Sequence, residues 1–422
     1  MWFHAALMSD DIEIQIRGSG SYVAAQDEEQ YAASARNACV CPKKAVQPAT
    51  ATEIFQDTPA DRAVADGARW ADAAQSRLNN FDVIRFVLAL MVVLSHCFAM
   101  HAGDEYADPG WIATHGQRSL GDIAVDAFFA ISGYLIVQSW THSSSPRDYL
   151  KKRIARIYPA FMVATVVCFL IVGIFACNQK REVFRIHQFA DVICKGALLD
   201  PVALPGSFFR NERHSIDGSM WTVKYEFWCY LFVAAAGVTG ALRVRWSVAS
   251  AFAASYVTYL ALGRLQLDFS TPGRLSLLAG ELSNWPRLLT FFLAGATFYT
   301  FRKHIPWSAA LAVAALAALV VAARLPQAVA AAEPIAGTYL LLWFAFAPVG
   351  PYGFAKFGDF SYGIYPYSFP IQQMVTQYSG QHVEIPKLFL FSAPLSVLAA
   401  VLSWNCVERP FLKRARSASR VA

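Results

Sequence analysis

In the stretch FDVIRFVLALMVVLSHCFAM, Arg85 and His96 stand 11 residues apart in an otherwise apolar setting. Asp82, Arg85, Ala89, Val92 and His96 recur at three- and four-residue steps, so an α-helix carries them on one face. Eleven residues make about three turns and roughly 16 Å of rise, which puts a guanidinium near one end of the helix and an imidazole deep along it. Histidine titrates near neutrality and is suited to take a proton from a hydroxyl or to pass one through a buried site. Cys97 adjoins it, but adjacent helical positions point about 100° apart, which turns the thiol away from the histidine face.

Three further stretches place ionisable groups in or beside apolar runs. GDIAVDAFFAISGYLIV carries Asp122 and Asp126 one turn apart, followed by the small pair Ser132 and Gly133, which favours a close helix–helix contact. KKRIARIYP holds Arg153 and Arg156 on one face of an entering helix, a spacing suited to bidentate phosphate contacts and equally to a plain basic loop. DGSMWTVKYEFWCYLF brings Lys224 and Glu226 into an apolar segment, two residues apart and on different faces. A buried Glu226 needs a cation or a hydrogen-bond donor from another helix. The plain reading of the aspartates is an N-cap or an interfacial pair for Arg118. Within a membrane each ionisable group costs at least about 2.5–3.5 kcal/mol, so each is a candidate for function.

The rest of the chain shows what positions these groups. Of 422 residues, 56% are apolar and only 16% charged, and the mean hydropathy is +0.35. Those values exclude an ordinary soluble enzyme, a disordered chain and a disulfide-stapled secreted module. Apolar stretches long enough to cross about 30 Å of hydrocarbon recur at 81–101, 122–140, 156–177, 218–241, 246–263, 286–301, 307–323, 335–350, 359–378 and 386–408. The fold expected is an all-α, polytopic bundle of about ten transmembrane helices. A partial helix is expected around Ile193–Leu199, and breaks at Pro366 and Pro370.

Three regions follow. Residues 1–80, rich in Ala, Asp, Gln and Ser, are expected to be a disordered cytoplasmic extension without a signal peptide. Residues 81–412 form the transmembrane domain, and 413–422 a basic cytoplasmic tail. Residues 1–80 carry a net charge of −4 and the remainder +10, as in a membrane protein whose basic loops face inward. Loops on the Arg147–Arg156 side and the tail hold the excess of Lys and Arg, so both termini are placed in the cytoplasm and the protein in a bacterial inner membrane, among membrane lipids. Basic residues clustered on a soluble face are not seen, so no nucleic-acid partner is expected. The eight cysteines suggest neither a disulfide framework nor a metal site, beyond a pairing of Cys177 with Cys194.

Six motifs occur in order: R-F-x(8)-S-H from Arg85 to His96, V-D-A-F-F-A-I-S-G-Y-L, R-x-x-R-I-Y-P, D-G-S-M-W-T-V-x-Y-E, F-S-Y-G-I-Y and V-E-R-P. Together, over roughly 81–412, they resemble the acyltransferase 3 family of integral-membrane O-acyltransferases, of the polysaccharide and O-antigen acetylase type. The resemblance implies a cytoplasmic acetyl-CoA, or another acyl-CoA, as donor substrate, no metal, and a hydroxyl of a glycan or lipid-linked sugar as acceptor. It implies that His96 is the essential first-helix histidine, Arg85 its companion, and Arg153 and Arg156 the pair on the acyl-CoA side. Asp126 and Glu226 fall in recurring motifs. Where the family has a histidine before F-P, Ser368 stands here, so the catalytic burden falls on His96. No esterase-like domain is expected after the last helix.

The expected mechanism has Arg85, Arg153 and Arg156 holding the CoA phosphates while the pantetheine arm reaches toward His96. His96 deprotonates the acceptor or briefly carries the acyl group, with Glu226 or Asp126 orienting or charging its ring. The competing expectation is a secondary transporter or flippase for acyl groups or polysaccharide precursors, which intramembrane charges and broken helices also suit.

Overall fold

The computed structural model describes residues 79–101, 105–265, 271–347, 360–380 and 383–418. Residues 1–78 of the expected extension lie outside the described residues, as do Asp359 and residues 419–422 of the tail. The longer helices are α1 (Phe81–Ala99), α2 (Leu120–Thr141), α3 (Pro146–Phe175), α4 (Ile186–Ala197), α5 (Trp221–Val238), α6 (Arg245–Leu265), α7 (Trp285–Phe301), α8 (Ala309–Arg324), α9 (Val329–Phe346), α10 (Ser361–Ser379) and α11 (Ile385–Ala415). The described residues hold no β-strand. Among the described residues each of the ten expected spans overlaps a helix, and the fold is an all-α polytopic membrane bundle.

Six of the helices, α1, α2, α3, α6, α9 and α11, are long and apolar enough to cross a membrane unaided. Helices α7 and α8 are shorter, with 17 and 16 residues. Helix α10 is long enough but buries Gln372, Gln373 and Gln377, so its polar content faces the bundle interior. Polar residues are tolerated at membrane depth only where protein or a cavity surrounds them.

Local chemistry sets the helix starts. The Ser119 hydroxyl accepts from the Asp122 N–H while the Asp122 carboxylate accepts from the Ser119 N–H, a capping box that opens α2. Ser145 caps α3 in front of Pro146, whose missing N–H is harmless in the first turn. Packing then joins the elements. At the crossing of α2 and α7, an added Cβ on Gly133 would overlap the Phe292 carbonyl, and one on Gly295 would overlap that of Ala130. Only glycine permits this reciprocal backbone approach, the small-residue contact expected at Gly133.

Two segments differ from expectation. Pro366 and Pro370 do not break α10, which runs continuously from Ser361 to Ser379. Neighbours supply donors for its carbonyls: the Ser219 hydroxyl donates to Tyr365 O at 2.8 Å, and the Cys168 thiol approaches Pro366 O at 3.8 Å. The latter carbonyl is the one that Pro370, lacking an N–H, leaves unpaired.

The second is the 178–217 connection, which holds the helix expected around Ile193–Leu199, starting earlier at Ile186, and differs only in leaving Cys177 and Cys194 unbridged. It doubles back along α3 as α4, with Val183 against Gly173, Gly196 against Met162, and the Tyr158 hydroxyl donating to Ala197 O at 3.2 Å. The chain then returns, and Phe208 N–H donates to Ala176 O at 2.7 Å. This places Asp200 beside Lys224, which is 3% exposed and also donates to the carbonyls of Ser276 and Leu277. Lys224 therefore pins two connections to α5. Cys177 and Cys194 are both free thiols.

Candidate functional site: two adjoining chambers

The functional candidates sort into two cavities at different depths of the bundle. The first, about 160 Å³, is lined by Arg85 of α1, Ser132 of α2, Arg153 and Arg156 of α3, Glu226 and Tyr230 of α5, and Tyr362 of α10, among others. The second, about 260 Å³, is lined by Ser95 and His96 of α1, Asp122 of α2, Arg287 of α7, and Trp111, Arg213 and Trp221. Val125 and Tyr365 line both. The 11-residue separation on α1 thus assigns its guanidinium to one chamber and its imidazole to the next.

The arginine chamber is aromatic as well as cationic. The Arg153 guanidinium lies 6.0 Å from the Tyr149 ring centroid and 5.8 Å from that of Tyr230, and its buried Nε has no hydrogen-bond partner. Arg156 lies 5.4 Å from the Tyr362 ring and 4.0 Å from the Glu408 carboxylate. A π-helical turn, Trp404–Glu408, carries Glu408 in α11, which links the V-E-R-P motif to the R-x-x-R pair. Arg85 pairs with Asp82 on its own helix at 2.9 Å. Glu226 accepts from the Ser132 hydroxyl at 2.9 Å and the Tyr230 hydroxyl at 2.5 Å. Three guanidiniums facing one hydroxyl-bound carboxylate suit a polyanionic ligand.

The histidine chamber is built differently. The His96 ring meets Phe369 edge to face, with centroids 5.2 Å apart, and its Nδ1 has no hydrogen-bond partner. Arg213 donates through Nε to Ala99 O at 2.7 Å, near the C-terminal end of α1. Asp108 accepts from the Ser95 hydroxyl at 2.5 Å and from Leu120 N–H at 2.8 Å, which ties α1 to α2 beside the imidazole. The Cys97 thiol donates to Val93 O and accepts from Gln372, away from this chamber, as the helical angle requires.

Neither carboxylate expected beside His96 is hydrogen-bonded to it among the described residues. Asp126, fully buried, accepts from Arg287 Nε at 2.9 and 3.0 Å. The same arginine donates to the Asp122 carboxylate at 2.6 Å. Arg118 pairs instead with Glu333 of α9 at 3.3 Å. Glu226 belongs to the arginine chamber. Ser368 is buried, with its hydroxyl turned back to Tyr365 O at 3.3 Å.

Sequence reasoning passed over Arg287, Arg213 and Tyr365. Arg287 left a signal, an arginine at the start of an apolar run (PRLLTFFLAG), where its cost at membrane depth demands carboxylate partners. Arg213 left none, because it lies in a long connection.

Against known families, the model of an acyltransferase domain matches residues 78–405. The protein belongs to the acyltransferase 3 family. It is an integral-membrane acyltransferase. An O-acetyl transferase of Shigella phage Sf6 is 29% identical over 351 residues, covering 80% of this chain and 96% of the phage protein. Nodulation protein 10 of Rhizobium leguminosarum bv. viciae is 29% identical over 164 residues, 36% of this chain and 42% of that protein. A putative acetyltransferase, ORF330, of Acidianus two-tailed virus is 26% identical over 128 residues, 30% of each. No solved structure matches this acyltransferase.

Proposed function

We propose that the protein transfers an acetyl group, or another acyl group, from acyl-CoA to a hydroxyl of a glycan or lipid-linked sugar. The observation that carries this reading is the pair of adjoining chambers, one lined by three arginines and the other by a histidine. CoA is anionic at its nucleotide end and reactive at the far end of a long thin arm. Arg85, Arg153 and Arg156 suit the phosphates, and the buried, unpartnered Nε of Arg153 is a donor awaiting one. The arm then passes the wall at Val125 and Tyr365, which delivers the thioester to the imidazole. Trp111 and Trp221 offer flat faces to a sugar ring, and Arg213 offers donors at the same chamber. The name of the phage relative, an O-acetyl transferase, favours acetyl as the group moved.

His96 takes the acceptor's proton or carries the acyl group, and its free Nδ1 suits either role. Asp126 acts on this chamber through Arg287. Glu226 acts from the arginine chamber, where its carboxylate accepts from the Ser132 and Tyr230 hydroxyls and so fixes the wall that the incoming arm passes. Acyl-CoA is cytoplasmic, so the arginine chamber opens to the cytoplasm of a bacterial inner membrane and both termini lie there.

The test compares the masses of surface glycans from cells with and without the gene. One acetyl increment per modified residue is expected only with it. Uptake of labelled glycan precursor into vesicles, with no new ester, would instead support the transporter or flippase. Arg153→Ala is expected to raise KM for acetyl-CoA about 10- to 100-fold, the worth of one charge-assisted hydrogen bond, with kcat nearly unchanged. Initial rates in isolated membranes check it.

A further inference from the structure

Helix α10 carries three aromatic residues along one face, one beside each chamber and one at the wall they share. The Tyr362 ring lies against Arg156 in the arginine chamber. Tyr365, three residues on, lines both chambers. Phe369, four residues further, meets the His96 ring. Positions spaced by three and four share a helix face, so this stripe runs from the guanidiniums to the imidazole. The other residue lining both chambers, Val125, has no polar side-chain atom. The Tyr365 hydroxyl is therefore the side-chain donor at the junction.

The geometry points to Tyr365 as a catalytic residue whose hydroxyl binds the thioester carbonyl oxygen and stabilises the oxyanion formed there. The inference rests on the acyl-CoA reading above, because it needs a thioester arriving from the arginine side. When the acceptor oxygen attacks, a C–O bond forms, the carbonyl electron pair moves onto oxygen, and His96 takes the hydroxyl proton. Collapse restores the carbonyl, breaks the C–S bond and returns that proton to the departing CoA thiolate. The oxyanion exists only between these steps, so a donor fixed in advance lowers the barrier. Tyr365 is fixed in advance. Its Oη shares a hydrogen bond of 2.7 Å with Thr222 Oγ1, and its own carbonyl accepts from the Ser219 hydroxyl at 2.8 Å. With the Thr222 hydroxyl donating to Oη, the phenolic proton is directed into the junction.

The experiment uses membranes containing the full chain, radiolabelled acetyl-CoA and the endogenous glycan acceptor. Tyr365→Phe keeps the ring and its packing while removing the donor. It is expected to lower the maximal rate about 10²- to 10³-fold with KM for acetyl-CoA unchanged. Thr222→Val, which removes only the partner hydroxyl, lowers the rate in the same direction and by less. A binding measurement separates chemistry from architecture. The trifluoromethyl ketone analogue of acetyl-CoA, which hydrates to a tetrahedral form, should bind wild type more tightly than the planar methyl ketone. Tyr365→Phe should lose that preference.

A wild-type rate in Tyr365→Phe overturns the inference. A lower rate with KM raised in proportion and the analogue preference retained also overturns it, by reducing Tyr365 to a wall. If the wild-type protein neither binds acetyl-CoA nor transfers label, the acyl-CoA reading itself fails, a result distinguishable from both.

Discussion

His96→Ala is expected to lower the rate of acyl transfer about 10²- to 10⁴-fold, the usual contribution of a positioned general base, and to leave KM for acyl-CoA unchanged. The separation of effects follows from the two chambers. The groups suited to hold the CoA phosphates stand about three helical turns away on α1 and on α3, so removing the imidazole leaves them in place. The ring's described contact is an edge-to-face meeting with Phe369, which makes the variant a truncation of modest structural cost. Initial rates against acetyl-CoA concentration supply both constants, and thermal unfolding in detergent checks the fold. Added imidazole should restore part of the rate by filling the vacated space. A variant that transfers at the wild-type rate, at equal protein level, would remove His96 from the mechanism. Rapid quenching of wild type in the absence of acceptor distinguishes its two roles, since only an acyl carrier accumulates a labelled, hydroxylamine-sensitive protein.

Much of this architecture could be read from residue types and spacing. The face shared by Arg85 and His96 was visible because helical periodicity is local, and it is what divides the two residues between chambers. The pairing of Arg153 and Arg156 on one face was visible for the same reason. Partner identity was not, because it depends on which helices become neighbours. Asp126 was expected beside an imidazole, and it meets Arg287 of a helix more than 150 residues later. Glu226 needs a cation or a hydrogen-bond donor from another helix, and which of the two it meets is settled only by packing, which brings it the Ser132 hydroxyl of α2 beside that of Tyr230. The prolines of α10 misled for a related reason. A proline breaks an isolated helix, but donors from the Ser219 turn and from α3 serve carbonyls around Pro366 and Pro370, and such donors exist only after packing.

Arg287→Gln is expected to destabilise the protein by about 3–5 kcal/mol, the cost of leaving a buried charge without its partner. The size follows from the company it keeps. Arg287 holds Asp126 through Nε and Asp122 through Nη1, and Arg118 nearby holds Glu333. Two guanidiniums thus face three carboxylates across α2, α7 and α9, so removing Arg287 leaves two aspartates one turn apart facing each other in a low dielectric. Asp126→Asn should cost less, because Arg287 keeps Asp122, and Asp122→Asn least, because its side chain is already 31% exposed. The double variant Arg287→Gln with Asp126→Asn should recover much of the loss, since it removes opposite charges together. Unfolding in mixed micelles with a denaturing detergent measures all four. If the singles do not fall in that order, or if the double is as unstable as Arg287→Gln alone, the network is not what holds this wall of the histidine chamber. Transfer rates in the variants that fold then tell whether Asp126 serves the imidazole only by keeping Arg287 in place: a stable double variant with restored activity would show that the charges build the wall and take no part in the chemistry.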